Sequence, residues 1–291
     1  MPANYFSNCP ICGSSAFVDL KGYTQHFLSQ CNTCDFVFAK KIPSNEELIA
    51  HYETYPRSNS ISAITIKRYH ELLDKLEPYR KTNNLIDVGC GDGFFLETAK
   101  KRNWNVYGTE YTDIAIKICS EKGISMKQGK LNPKDYPEGF FDVITSFEVI
   151  EHINNPMEEL QNFSSILRSG GAVYVTTPNF NSASRYYLGN KWNVIEYPEH
   201  LSYYTQNTLC YLFQRNNFFT RSFQTTGISL SRISKSLGGA APAATQGISQ
   251  DEALRNKSET KFIYKLAKKT VNAVLTFFSA GDTLKGTFIK K

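Results

Sequence analysis

From Asn84 onward, short apolar runs alternate with stretches in which apolar residues recur every three or four positions. Leu85-Ile86-Asp87-Val88 is such a run, closed by Gly89-Cys90-Gly91-Asp92-Gly93, and the spacing then predicts a helix over Phe95–Arg102. The cycle repeats. Strands are predicted over Asn105–Gly108, Ile124–Lys127, Phe141–Ser146 and Ala172–Thr176, with helices over Asp113–Lys122 and Met157–Leu167. Short strands alternating with helices of about 10–15 residues mark an α/β protein with a doubly wound, Rossmann-like parallel sheet. Its crossovers should be right-handed. A helix over Leu209–Asn216, a strand over Phe218–Thr226 and an alternating strand over Thr283–Lys290 complete a seven-stranded sheet.

The flanking segments follow other rules. Residues 1–40 carry short β-like runs such as Phe36-Val37-Phe38, and residues 41–83 read as a helical linker or lid. There Ser44 is placed to cap a helix with Glu46 and Glu47 in its first turn, and a second helix, Thr65–Leu76, stops before Pro78. Residues 231–260 contain Gly238-Gly239-Ala240-Ala241-Pro242 and read as a loose excursion. After it, Ile263, Leu266, Ala267, Thr270, Val271, Val274, Leu275 and Phe278 recur at helical spacing, with Lys261, Lys265, Lys268 and Lys269 among them. The expected organisation is therefore 1–40, a helical 41–83, a sheet domain over 84–230, a helical insertion over 231–278 and a final core strand within 279–291.

Composition narrows the class only slightly. At 291 residues, with 41% hydrophobic and 21% charged positions, the chain is globular and not disordered. Its net charge of +6 suits an anionic small molecule as well as a nucleic acid. No basic segment followed by an apolar one opens the sequence, and no apolar run reaches about 18 residues, so a cytoplasmic protein is expected.

Four of the seven cysteines form two pairs, Cys9-Pro-Ile-Cys12 and Cys31-Asn-Thr-Cys34, separated by eighteen residues. Each pair can present two thiolates from one turn, and two such turns make a tetrahedral sulfur shell suited to zinc. Four protein ligands leave no open position, so the expected Zn2+ is structural and the module a small amino-terminal zinc ribbon.

The glycine loop departs from the dinucleotide fingerprint, because Phe94 stands where a third small residue is required. An acid for a ribose is nevertheless in place, since Glu110 ends the second strand. With these features the chain resembles a class I S-adenosylmethionine-dependent methyltransferase. The resemblance rests on Leu85–Gly93, Gly108-Thr109-Glu110, Phe141-Asp142-Val143-Ile144, Glu148-Val149-Ile150-Glu151-His152-Ile153 and Leu167-Arg168-Ser169-Gly170-Gly171, in that order. It implies that S-adenosylmethionine is the cofactor, with Asp87 and the Gly89-Cys90-Gly91 backbone at its methionine end. It further implies Glu110 on the ribose, Tyr111 beside the adenine, and Gly93 and Phe147 completing the contacts. Many relatives carry an acid where Lys130 stands, and a backbone contact from Leu131 would replace it here.

Methyl transfer needs proximity, and a base when the acceptor is a hydroxyl or an acidic carbon. His152 follows the fourth strand, at the ligand-binding end of such sheets. His200, in Glu196-Tyr197-Pro198-Glu199-His200-Leu201, lies in a loop that resembles the Glu-His pair of sugar methyltransferases, which implies His200 as base and Glu199 as its support. Tyr186, Tyr187, Trp192, Tyr197, Tyr203 and Tyr204 crowd this region, either to stack on an acceptor or to pack a lid. The full layout resembles bacterial methyltransferases that modify sugar nucleotides or surface polysaccharides, implying a small-molecule or glycan acceptor, O-methylated or C-methylated. Two alternatives stand beside it, a ribosomal RNA methyltransferase docking through the ribbon and a non-catalytic ribbon module. Residues 1–39 hold only Lys21 as a lysine or arginine, against Asp19 and Asp35, which disfavours a nucleic-acid partner. The basic helix over 261–278 offers a peripheral membrane contact or a face that packs on its own domain.

Overall fold

The computed structural model describes residues 4–44, 47, 61–228, 233, 236 and 262–291. Its amino-terminal part is built from β1 (Asn4–Tyr5), β2 (Phe17–Asp19), β3 (Leu28–Cys31), β4 (Val37–Ala39) and β5 (Lys41–Ile42). Ser44 and Glu47 exchange the expected capping bonds, each backbone N–H donating to the other's side chain, at 2.8 and 3.2 Å. Glu46 and the helix body that would follow lie outside the described residues. The next described helix, α1 (Ala63–Leu76), begins two residues earlier than its apolar spacing suggested, because Ser62 caps it by accepting from Thr65 N.

The alternating elements then run β6 (Asn84–Val88), α2 (Phe94–Lys100), β7 (Asn105–Glu110), α3 (Asp113–Glu121), β8 (Ser125–Gln128), β9 (Phe141–Phe147), α4 (Pro156–Ile166) and β10 (Leu167–Pro178). They continue as α5 (Ala183–Leu188), β11 (Ser202–Tyr203), α6 (Gln206–Arg215), β12 (Phe218–Thr226), α7 (Phe262–Phe277) and β13 (Thr283–Lys290). Seven strands form one sheet in the order β12-β13-β10-β9-β6-β7-β8. The pairs among β10, β9, β6, β7 and β8 are parallel, while β13 runs antiparallel between β10 and β12. Every residue of β6 is buried, and so is β9 except Phe147, which explains their near-continuous apolar runs.

A buried charge closes the sheet at the end opposite the glycine loop. Asp142 accepts from the backbone N–H groups of Lys81, Thr82 and Asn83 at 2.7, 2.6 and 2.9 Å and from Arg168 Nε at 2.5 Å. Burial alone would push this carboxyl up, but Arg168 and the amides more than offset it and hold it below its ordinary range. One side chain thus ties β9, the segment leading into β6 and the start of β10.

The amino-terminal strands do not stand apart from this sheet. Their four-stranded sheet has the order β11-β4-β3-β2, so β11, from far along the chain, supplies its edge. Ser202 pairs with Phe38 and Tyr203 with Val37, and Ala39 N donates to Leu201 O at 2.8 Å. Cys9, Ile11, Cys31, Phe36 and Phe38 belong to the same apolar cluster as Tyr204, Leu209, Leu212 and Phe213. No helix among the described residues is long and apolar enough to cross a membrane. The excursion over 231–260 and the side chains of Lys261, Lys265, Lys268 and Lys269 lie outside the described residues, Ser236 and Ile233 excepted.

Candidate active site

Chain order reverses between β6 and β9, and their carboxyl ends open the crevice where such sheets hold ligands. The turn after β6 has φ of +71° at Gly89 and +54° at Gly91, values that L side chains rarely adopt. Any Cβ on Gly89 would lie 2.5 Å from Val149 Cγ2, whereas one on Gly91 would meet nothing within 4 Å. Gly89 therefore serves close packing on the segment after β9, and Gly91 leaves room beside the loop.

The acids predicted to face the cofactor are both engaged. Glu110 accepts from Gly91 N at 3.0 Å and from Tyr111 N at 2.7 Å, so its carboxylate braces the loop from the next strand. Each oxygen has a second lone pair for a ribose hydroxyl. Asp87 is buried and accepts from Thr145 Oγ1 at 2.7 Å. Burial pushes its pKa up to about 8, opposed by the Thr145 hydrogen bond and reinforced by the negative charge of Glu110. A cation brought beside Asp87 would favour the carboxylate again.

The remaining predicted contacts divide by exposure. Tyr111 is half exposed beside Glu110. Phe147 packs edge-on against Phe95, with ring centroids 5.0 Å apart. Leu131 is buried in the main core, so its side chain faces inward. Cys90 has its Sγ 4.0 Å from Cys119 Sγ and so turns toward α3, leaving only its backbone to the loop. Gly93 has φ of +72° and caps α2.

Past β9 the chain makes a tight excursion, with Glu148 at φ +53° and a short 3-10 turn over Ile150–His152. Backbone strain of this kind is worth on the order of 1–3 kcal/mol and concentrates at functional sites. The Pro-Glu-His loop is laced to this turn. Leu201 N donates to Glu151 O at 2.8 Å, Ser202 Oγ donates to Ile153 O at 2.9 Å, and His152 Nδ1 lies 2.8 Å from Glu199 O. The two imidazoles, 48 residues apart in the chain, lie with centroids 4.8 Å apart and ring planes tilted by 59°. His200 Nδ1 sits 2.5 Å from Val194 O, so a backbone carbonyl orients the ring. The Glu199 carboxylate stands 3.9 Å from His200 Nε2.

Sequence reasoning gave Glu151 no role. It is buried beside the histidines and accepts from Thr177 Oγ1 at 2.8 Å. The available signal was the Glu-His dipeptide, which occurs twice, at 151–152 and 199–200. The aromatic group divides instead of forming one surface. Trp192, Tyr203 and Tyr204 are buried packing residues, while Tyr186 and Tyr187 on α5 are exposed.

In the ribbon, Cys9 and Cys34 have their sulfurs 3.6 Å apart, and Cys12 and Cys31 theirs 3.5 Å apart. All four ligand atoms lie within 4.8 Å of one another. Tetrahedral zinc with bonds of about 2.3 Å sets its sulfurs roughly 3.8 Å apart, so the shell fits. The two turns match as well. Gly13 and Asp35, each four residues after the first cysteine of its pair, both have positive φ and donate back to that cysteine's carbonyl.

These elements define a class. The strand order, the glycine turn, the acid at the end of β7 and the crevice between β6 and β9 are those of a Rossmann-like methyltransferase fold. A family model for the methyltransferase domain matches residues 62–222, more than half of the chain, and the protein belongs to that family. Residues 62–222 thus form a methyltransferase domain of the class I, Rossmann-like fold. Among curated proteins, it is similar to the ubiquinone biosynthesis O-methyltransferase of Colwellia psychrerythraea, 33% identical over 102 residues, or 33% of this chain and 42% of that protein. The same enzyme of Nitrosomonas europaea is 29% identical over 152 residues, covering 48% of this chain and 63% of that protein. The chain thus spans about half the length of the curated relatives it matches. Their names describe quinone biosynthesis and not sugar or polysaccharide modification. A S-adenosylmethionine-dependent methyltransferase from Archaeoglobus fulgidus shares the fold at 17% identity, with a TM-score of 0.53 over 85% of this chain and all of that one. Geranyl diphosphate C-methyltransferase from Streptomyces coelicolor aligns at 13% identity, with a TM-score of 0.52 over 77% of this chain and 78% of that one.

Proposed function

We propose that the protein O-methylates a hydroxyl of a small molecule, with His200 as the base and the zinc-loaded ribbon holding its loop. The observation that carries this reading is the laced pair of loops after β9 and before β11. Val149 packs on Gly89, so the turn bearing His152 borders the glycine loop, and the hydrogen bonds to Glu199, Leu201 and Ser202 draw His200 to the same place. With Nδ1 donating to Val194 O, the His200 lone pair resides on Nε2, the atom that would take the acceptor's proton. Glu199 then stabilises the imidazolium as it forms.

S-Adenosylmethionine supplies an electrophilic methyl group on a sulfonium. The chain supplies its cradle, with the glycine loop at the methionine end and Glu110 at the ribose. Tyr111 would stack by the adenine, and Asp87 would regain its charge near the ligand's ammonium group. The names of the curated relatives favour O-methylation over C-methylation. A sugar hydroxyl remains the acceptor that the Pro-Glu-His resemblance implies. An RNA acceptor is disfavoured because β11 already occupies the ribbon's β4 edge.

His200→Gln should lower turnover by at least about a hundredfold, the scale of a lost general base, and leave S-adenosylmethionine affinity within twofold by calorimetry. Full turnover in that variant would remove His200 from the base role. Glu110→Ala should weaken cofactor affinity at least about tenfold, as expected for lost charge-assisted hydrogen bonds.

A further inference from the structure

Two cysteines outside the four-thiolate cluster meet beside the glycine loop. Cys90 lies in the loop between Gly89 and Gly91, and Cys119 lies in the last turn of α3. Their sulfurs are 4.0 Å apart. Cys119 Sγ also donates to Gly91 O at 3.3 Å. Two glycines make the room for these thiols. A Cβ on Gly108 of β7 would lie 2.8 Å from Cys90 Sγ, and one on Gly93 would lie 2.7 Å from Cys119 Sγ. Neither thiol has a part in methyl transfer, since Cys90 offers the loop only its backbone.

Exposure and charge give the two sulfurs different tasks. Cys90 is partly exposed and Cys119 is fully buried, so an outside reagent meets Cys90 first. Cys119 is held below the ordinary thiol range, chiefly by the Cys90 hydrogen bond with the Lys122 charge adding, against the effect of burial. It is therefore suited to act as the thiolate of a second step. A disulfide sets its sulfurs about 2.05 Å apart, so the gap must close by roughly 2 Å. Cys119 belongs to a packed helix, whereas Cys90 is flanked by glycines at φ +71° and +54°, so the loop is the side that yields. Gly91 O then loses its Cys119 donor, and Gly91 N is drawn from Glu110 Oε2, which it meets at 3.0 Å.

We propose that Cys90 and Cys119 form a modification site, converted by a low-molecular-weight disulfide such as glutathione disulfide into an intrachain disulfide that disables the cofactor loop. The loss of function rests on the reading of that loop as the S-adenosylmethionine cradle. Cys90 loses its proton to solvent, and its sulfur attacks one sulfur of glutathione disulfide. A mixed disulfide forms, and one glutathione thiolate leaves. Cys119, its proton also passed to solvent, then attacks the Cys90 sulfur. The Cys90–Cys119 bond forms, and the second glutathione leaves as its thiolate. Two protein thiols are oxidised, and one small disulfide is reduced to two thiols. Excess reduced glutathione runs the same steps backward. Because the disulfide weakens cofactor binding, bound cofactor must oppose the disulfide by the same factor.

The zinc-loaded full chain is equilibrated in glutathione buffers of graded ratio. Non-reducing peptide mapping locates the linkage, and calorimetry measures S-adenosylmethionine affinity. A Cys90–Cys119 peptide pair should appear as glutathione disulfide rises, with affinity lowered at least about tenfold, the scale of one lost charge-assisted hydrogen bond. Reductant should restore it. Saturating S-adenosylmethionine should shift the redox equilibrium at least about tenfold toward the dithiol. Cys119→Ser keeps a hydroxyl donor for Gly91 O and should bind the cofactor within about twofold of the reduced parent in either buffer. No such linkage in the parent at high glutathione disulfide overturns the proposal, as does a linked parent with undiminished affinity. Both outcomes are read on the parent protein, so they stand even if the variant misfolds. A reduced parent with no S-adenosylmethionine affinity would refute the cradle reading instead, while a mapped linkage would still support the thiol pair.

Discussion

Replacing Gly89 with alanine tests how the glycine loop and the acceptor side are joined. Two separate costs arise at this position. An L residue at φ +71° costs roughly 1–2 kcal/mol in the left-handed region. The new Cβ would also lie 2.5 Å from Val149 Cγ2 and 3.4 Å from Cγ1, an overpacking cost of about 1–3 kcal/mol. Trimming Val149 to alanine removes both methyl groups, while its Cβ, at 3.6 Å, is an ordinary contact. The Gly89→Ala, Val149→Ala double variant should therefore recover the steric part and keep the conformational part, a favourable coupling of about 1–3 kcal/mol. Urea unfolding of the four proteins measures this. Turnover of the single Gly89→Ala variant should fall more than its stability suggests, because Val149 leads into His152. Strict additivity of the two substitutions would show that the loop and the turn are independent, and the packing argument would fail.

The other predictions concern charge and metal. Asp142→Asn leaves Arg168 without its buried counter-charge and should cost about 3–5 kcal/mol in urea unfolding. Because the folded Asp142 pKa is depressed, this contribution is present above the unfolded value of about 3.9 and is lost as pH falls through the folded value. The gap between parent and variant should then narrow in acid. Asp87 has the opposite sign, since its pKa is raised to about 8. The ligand-free protein should lose stability as pH climbs from about 4 toward 8, at up to about 1.4 kcal/mol per unit. Asp87→Asn should flatten that slope in thermal melts, and an unchanged slope would place the titration elsewhere. Cys31→Ser should release zinc, measured by atomic emission, and lower turnover through the β4–β11 pairing that holds the His200 loop. Undiminished turnover in the zinc-free variant would uncouple the ribbon from the site.

The sheet was legible because its signal is local. Fully buried strands such as β6 and β9 must be apolar on both faces, and the amphipathic helices between them carry the helical period. Phe218–Thr226 and Thr283–Lys290 match their predicted limits. The helix Ala183–Leu188 and the two-residue strand Ser202–Tyr203 were not legible. The first is a six-residue piece capped by Ser182, and the second exists only because β4 pairs with it. That pairing spans more than 160 residues of sequence and has no local signature. It is also what makes the ribbon part of the site's support.

The candidate site residues were proposed from their types and positions, but their partners were not legible. Glu199 reads as the orienting group for His200, yet the Nδ1 partner is the carbonyl of Val194, which no side-chain pattern announces. Glu199 contributes its charge at Nε2 and its carbonyl to His152. Glu151 escaped because a buried carboxylate reads as part of a motif until the histidines appear beside it.

The most direct test of the account is transfer from methyl-labelled S-adenosylmethionine in a fractionated cell extract, with label counted in small molecules, lipid-extractable glycans and nuclease-sensitive polymer. The account predicts label in the small-molecule fraction, as a methyl ether by mass spectrometry, and none above background with the His200→Gln variant. Label confined to the nuclease-sensitive fraction would contradict it.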